Sequence, residues 1–121
     1  MSERLIFNCT HGAQEPERAT LPFIAANVAA IAGQKATVVC TIDAVWLGTD
    51  GGREGIAPDG LPVLDTLYTD FIANGGEVWL CQSCTKPRGI TEDQLSEGAT
   101  IQGAARFVEE LVNGAKAISL S

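Results

Sequence analysis

Glu77-Val78-Trp79-Leu80-Cys81-Gln82-Ser83-Cys84-Thr85-Lys86-Pro87-Arg88-Gly89-Ile90 is the stretch whose reading decides the fold. Its opening Val78-Trp79-Leu80 is a short apolar run of the kind that forms a buried strand, and it leads straight into Cys81. Cys84 follows three residues later. Two cations, Lys86 and Arg88, come next, in a chain with only eight Lys and Arg and a formal net charge of −7. Pro87 and Gly89 stop any helix that tries to continue. The picture is a buried strand that delivers a thiol to the end of a sheet, in a turn with local positive potential. The thiolate is the reactive form of cysteine, and neighbouring cations and backbone N–H groups favour it.

Upstream of this stretch the chain alternates strand and helix patterns. Leu5 to Cys9 reads as a buried strand, followed by the loop Thr10-His11-Gly12. A helix is expected from about Pro16 to Ile31, with Glu17 near its positive end and Gly33 as its stop. Pro22 sits awkwardly inside it, as a kink or as a sign of a later start. Thr37-Val38-Val39-Cys40 is a second strand, and Asp43 to Leu47 a weak segment that fits one helical turn. Gly48 to Gly60 holds five glycines, with Arg53, Glu54 and Pro58, and has no apolar period; it reads as a mobile loop and matches no phosphate-binding glycine motif. Leu61 to Ala73 is helical in pattern, with Leu64, Leu67, Tyr68, Phe71 and Ile72 on one face.

Downstream, Thr91 and Gln94 are placed as N-cap and capping-box partner of a short helical piece. A last helix is expected over Ile101 to Val112, packing through Ala104, Ala105, Val108, Leu111 and Val112, and Ala117 to Leu120 is a terminal strand. Four strands are clear; a fifth either forms around Gly89-Ile90 or is absent. Strands separated by helices of this size build parallel βαβ units. The expectation is therefore one α/β domain over 1–121, a mostly parallel four- to five-stranded sheet with helices on both faces, flavodoxin-like in its layers. In such sheets reactive groups gather beyond the carboxyl ends of the strands. Cys9, Cys40 and Cys81 each close a strand, so the pattern aligns three thiols along one edge, with His11 on the same side.

Composition narrows the function. The acidic balance offers no surface for neutralising phosphates, which argues against nucleic acid. Leu21 to Ala32, the longest apolar-leaning stretch, is too short to span a bilayer. The Met-Ser-Glu-Arg start reads as neither a signal nor a transit peptide, so a cytoplasmic location is expected. Without an export signal, four cysteines read as thiols that react or pack rather than as a disulfide framework. Cys40, among β-branched residues, reads as core, while Cys9 and His11 have both structural and chemical readings. A zinc site from Cys81, Cys84, Cys9 and His11 has half the ligand spacing of a zinc knuckle but lacks a second Cys-x-x-Cys or a His pair. No metal and no cofactor is expected. A thioredoxin-like reading fits the strand into Cys-x-x-Cys, but Pro87 and Gly89 deny it the long helix that should follow.

The order of these pieces resembles the DsrE/DsrF-like sulfur-relay family across nearly the whole chain. The resemblance runs through the first strand with Thr10-His11-Gly12, Asp43-Ala44-Val45 after the second strand, and the glycine-rich loop before the helix at Leu61. It continues through the strand into Cys81, the Arg88-Gly89-Ile90 turn, and Gly98-Ala99-x-Ile101-x-Gly103-Ala104-Ala105. What it implies is a cytoplasmic homotrimer or homohexamer that takes sulfane sulfur from a donor protein and passes it to an acceptor protein. The carrier implied is a persulfide on Cys81, supported by Thr10, His11, Gly12, Lys86, Arg88 and Gly89. Cys84 leaves two alternatives open: a Cys81/Cys84 thiol–disulfide redox or sulfane-sulfur reductase protein, and a non-catalytic oligomeric subunit or small-ligand binder whose cysteines only pack.

Overall fold

The computed structural model describes residues 3–120; Met1 and Ser2, which open the Met-Ser-Glu-Arg start, and Ser121 lie outside the described residues. Along the chain come β1 (Arg4–Cys9), α1 (Pro16–Ile31), β2 (Lys35–Cys40), a 3₁₀ run (Ile42–Gly48), α2 (Leu64–Ala73) and β3 (Glu77–Cys81). They are followed by α3 (Gln82–Thr85), a 3₁₀ turn (Glu92–Gln94), β4 (Ala99–Gln102), α4 (Ala104–Val112) and β5 (Lys116–Ser119). The five strands form one parallel sheet in the order β4-β3-β2-β1-β5. Among the described residues no helix is long and apolar enough to cross a membrane.

This strand order dictates the layers. From β1 to β4 each strand lies beside its predecessor, so α1 and α2 share one face of the sheet. The main core forms there, from Phe7, Val38, Val78 and Leu80 of the strands against Phe23, Leu67 and Phe71 of the helices. The link from β4 to β5 must cross the whole sheet, and α4 makes that crossing on the opposite face. A single helix covers this face, over a small cluster of Ile6, Val39 and Trp79, with Phe107 stacked on Trp79 at 6.1 Å. Buried Arg4 ties the same face together: it bonds Thr37 Oγ1 (2.6 Å), Glu77 (3.0 Å) and Glu110 (2.9 Å) and lies over the Trp79 ring.

Most expected elements stand where the pattern put them, and α1 runs from Pro16 to Ile31. Pro22 is buried within it; it cannot donate to the Arg18 carbonyl, yet it neither delays nor ends the helix. Gln94 Oε1 accepts the Thr91 N–H at 2.8 Å, the returning half of the expected capping box. Helix α2 starts at Leu64 rather than Leu61, after Pro62 and an extended Val63.

Four expectations are corrected. The fifth strand is Ala99–Gln102, not Gly89-Ile90, which folds back beneath α3 with Gly89 at φ +69° and Ile90 N–H on the Thr85 carbonyl. Ile101 therefore belongs to β4, and α4 begins at Ala104 after an extended Gly103. The packing face of α4 is Phe107 and the half-buried Glu110, whereas Ala104, Ala105, Val108, Leu111 and Val112 are exposed. Finally, the glycine-rich loop is tied down. Thr49 bridges to Leu95, Ile56 is buried, and Arg53, only 8% exposed, bonds Asp65 (2.8 Å), the Leu47 carbonyl (2.7 Å) and Ser96 Oγ (3.1 Å). Its guanidinium also lies 3.8 Å from the centre of the Tyr68 ring.

Two outcomes follow from these networks. Arg53→Met leaves buried carbonyl and hydroxyl acceptors without their donor and is expected to cost about 2–4 kcal/mol in urea unfolding; a cost below ~0.5 kcal/mol, the range of neutral surface changes, would contradict the anchor. Burial by itself would raise the Glu77 carboxyl, but the hydrogen bond and charge of Arg4 and a hydrogen bond from Trp79 hold it below its ordinary value. A carboxyl held low in the folded chain stabilises it above the unfolded-state pKa, and that contribution is lost as pH falls through the folded value. Unfolding midpoints measured below the ordinary glutamate range should therefore drop more steeply with falling pH in the parent than in Glu77→Gln, and parallel curves would refute the coupling.

Candidate functional site

All three strand-end cysteines lie at the carboxyl edge, but strand alternation divides them. Cys9 and Cys40 are register partners on adjacent strands, and both are fully buried on the face that packs α1 and α2. Cys9 Sγ–H points to the carbonyls of Ala19 and His11, both at 3.7 Å. A hydrogen bond from Cys40 to Cys9, with burial, pushes the Cys40 thiol well above the ordinary range. Cys81 follows Leu80 and so takes the side of Trp79, toward α4. The expected line of three thiols along one edge is thus two buried core thiols, as read for Cys40, and one half-buried thiol on the other face. Cys9 is spent in the core, so the zinc set with His11, Cys81 and Cys84 is not assembled; among the described residues no three His, Cys, Asp or Glu gather where they could hold a metal.

Cys84 has a different setting. It sits within α3, half-buried against the main core, and its Sγ accepts the backbone N–H of Ile42 at 3.1 Å. Ile42 holds φ at +55° and is, among the described residues, the only non-glycine with positive φ. For a β-branched side chain this is a steric outlier, with a cost of order 1–3 kcal/mol that the surroundings must offset.

Those surroundings come from three loops at the carboxyl edge. Before Ile42, Thr41 N–H bonds the Cys9 carbonyl at 3.0 Å and extends the β1–β2 ladder. Just after it, Asp43 is held from both sides. Its Oδ2 accepts Gln14 Nε2 at 2.6 Å, and its Oδ1 accepts Arg88 Nη2 (3.0 Å) and Nε (3.3 Å). Arg88 also donates through Nη1 to the Cys84 carbonyl at 3.1 Å, so one guanidinium bridges the 41–43 segment and the cysteine turn. Gly12 closes the third side. A Cβ there would lie 2.7 Å from the Asp43 carbonyl oxygen, so only glycine lets the β1–α1 loop approach this closely.

The expected site residues thus divide. Gly12, Cys84 and Arg88 meet around Asp43, and Gly89 closes the turn that carries Arg88. Half-buried His11 shares a hydrogen bond of its Nδ1 with Thr10 Oγ1 at 2.9 Å, which pairs these two residues with each other. Lys86 is exposed at the end of α3. Arg88 is engaged with the Asp43 carboxylate and bridges it to the Cys84 carbonyl. Sequence reasoning did not place Gln14, Ile42 or Asp43 in the site. Asp43 had a signal, as an acid just past the end of β2, where sites of this fold collect; a positive φ at isoleucine had none.

The comparisons agree with this architecture. Among solved structures, the YchN protein of E. coli superposes with a TM-score of 0.69 at 20% identity, over 99% of this chain and 100% of that one. The protein MTH1491 of Methanobacterium thermoautotrophicum gives 0.68 at 16% identity, over 98% and 99%. Two curated relatives are uncharacterized proteins: MJ0760 of Methanocaldococcus jannaschii, 31% identical over 92% of this chain, and MK0008 of Methanopyrus kandleri, 32% identical over 80% of it. The chain spans 40% of the length of MJ0760 and 79% of that of MK0008. The DsrE/DsrF-like family matches residues 3–120, and the chain belongs to that family.

Proposed function

We propose that this protein is a sulfur-relay protein, a sulfurtransferase in the loose sense, that carries sulfane sulfur as a persulfide on Cys81. The observation that carries the reading is the contrast between two free thiols of one turn. Cys81 stands half-buried where β3 ends, while the sulfur of Cys84 is occupied by the Ile42 amide. In the uptake step the Cys81 thiolate attacks the outer sulfur of a donor protein's persulfide. A Cys81 S–S bond forms, the donor's S–S bond breaks, and the electron pair leaves on the donor thiolate. Delivery is the same exchange in reverse, with an acceptor protein's thiolate attacking the outer sulfur. Neither step changes the overall oxidation state. Exposed Lys86 lies on the same turn as a cation for the persulfide anion, and Thr10, His11 and Gly12 follow β1 at the same carboxyl edge.

The thiol–disulfide reading is less well supported. A Cys81–Cys84 bond needs the two sulfurs about 2.05 Å apart, while strand alternation turns Cys81 to the face of Trp79 and Cys84 packs against the core on the other. Assembly as a homotrimer or homohexamer is part of the proposal. Its support is the exposed apolar set Val108, Leu111, Val112 and Ile118 on α4 and β5.

Intact-mass spectrometry after brief polysulfide exposure tests the reading. The parent and Cys84→Ser are expected to gain one sulfur, and Cys81→Ser to gain none. Equal uptake by Cys81→Ser would remove Cys81 as the carrier, and immediate loss of two hydrogens in the parent would favour the redox reading. Native spraying of the same samples reads the assembly; a monomer alone at micromolar concentration would remove the oligomer from the proposal.

A further inference from the structure

A second thiol three residues from a persulfide is a hazard to a carrier. The Cys84 thiolate can attack the inner sulfur of the Cys81 persulfide. A Cys81–Cys84 bond then forms, the outer S–S bond breaks, and the outer sulfur leaves with the electron pair as hydrosulfide. The cargo is lost and the pair ends oxidised. This reaction needs no outside oxidant, because the sulfane sulfur is itself reduced. A relay protein with this turn has to slow it.

The contacts around Cys84 act on where its sulfur is held: the Ile42 amide favours the thiolate but fixes its position. Its sulfur accepts the Ile42 N–H at 3.1 Å and packs against the core on the α1/α2 face. Cys81 ends a strand whose alternation turns it to the face of Trp79. The Ile42 amide that points at the sulfur belongs to a residue with a left-handed backbone, and the next residue, Asp43, is fixed by Arg88 and Gln14. Arg88 bonds Asp43, next to the donor, and the carbonyl of Cys84, next to the acceptor.

We infer that Arg88 is a positioning residue that clamps the Ile42 N–H onto Cys84 Sγ, so that Cys84 is kept from attacking sulfur held on Cys81. The inference rests on the persulfide reading for its purpose, though the restraint itself is a property of the unloaded protein. Arg88 acts here through geometry rather than charge. Its planar fork serves Asp43 and the Cys84 carbonyl at once, whereas a lysine ammonium keeps the charge but loses the fork.

Two measurements test it on the parent, Arg88→Lys, and Arg88→Lys with Cys84→Ser, with Asp43→Ala as a second way to open the clamp if Arg88→Lys fails to fold. The first follows polysulfide-loaded protein by mass and released sulfide. Arg88→Lys is expected to take up sulfur and lose it several-fold faster than the parent, up to about tenfold, the population change that one net hydrogen bond commands. The product should be a protein lighter by two hydrogens, and adding Cys84→Ser should restore the parent's lifetime. The second needs no persulfide: diamide oxidation of unloaded protein should form the Cys81–Cys84 disulfide faster in Arg88→Lys by a similar factor. Equal lifetimes and equal diamide rates, or a faster loss that Cys84→Ser does not restore, would overturn the inference. If the parent takes up no sulfur, the persulfide reading fails, and the diamide rates still decide the clamp.

Discussion

A β-strand presents successive side chains to opposite faces, and that alternation sets the chemistry of this protein as firmly as it sets the core. Cys9 and Cys40, in register on neighbouring strands, both fall on the face packed by α1 and α2, where burial and their mutual hydrogen bond keep the Cys40 thiol protonated. Cys81 lies one step beyond Leu80 on the adjoining strand and falls on the other face. Three residues of the same type at the same edge therefore have two fates, decided by the face on which each falls. The strand order then decides what each face meets, with two helices on one side and a single crossing helix on the other.

Much of this was legible from pattern alone. The start and stop signals of α1, the β-branched run of β2 and the Trp79-centred run of β3 carried enough signal to locate those elements, because strands buried on both faces read as continuous apolar runs. Where the period was short or shared, it misled. Ala99–Gln102 is four residues long and runs into α4 across Gly103, so Ile101 looked like the first apolar residue of a helix. Glycine spacing in 48–60 suggested mobility, but what orders that loop is one buried arginine reaching Leu47, Asp65 and Ser96, contacts that sequence distance conceals. On α4 the apolar residues suggest a packing face, but the crossing helix packs through Phe107 and through Glu110 on Arg4.

The site was legible by residue type and less so by role. A thiol pair, a flanking arginine and a close-packed glycine after β1 all meet at the carboxyl edge, as the parallel sheet requires. What pattern could not convey is that Arg88 is already engaged with Asp43, or that a strained Ile42 turns a backbone amide onto Cys84. The consequence is a division of labour between two cysteines three residues apart. The Ile42 amide and the Arg88 turn engage one sulfur, and the other stands half-buried at the end of β3, where the proposed exchange takes place.

A high-resolution crystal structure of the sulfur-loaded protein tests this division most directly. The account predicts one additional sulfur atom on Cys81, with Cys84 Sγ still within hydrogen-bond distance of the Ile42 amide and Arg88 still bridging Asp43 and the Cys84 carbonyl. Added density on Cys84, or a Cys81–Cys84 disulfide with the Ile42 amide turned away, would contradict it.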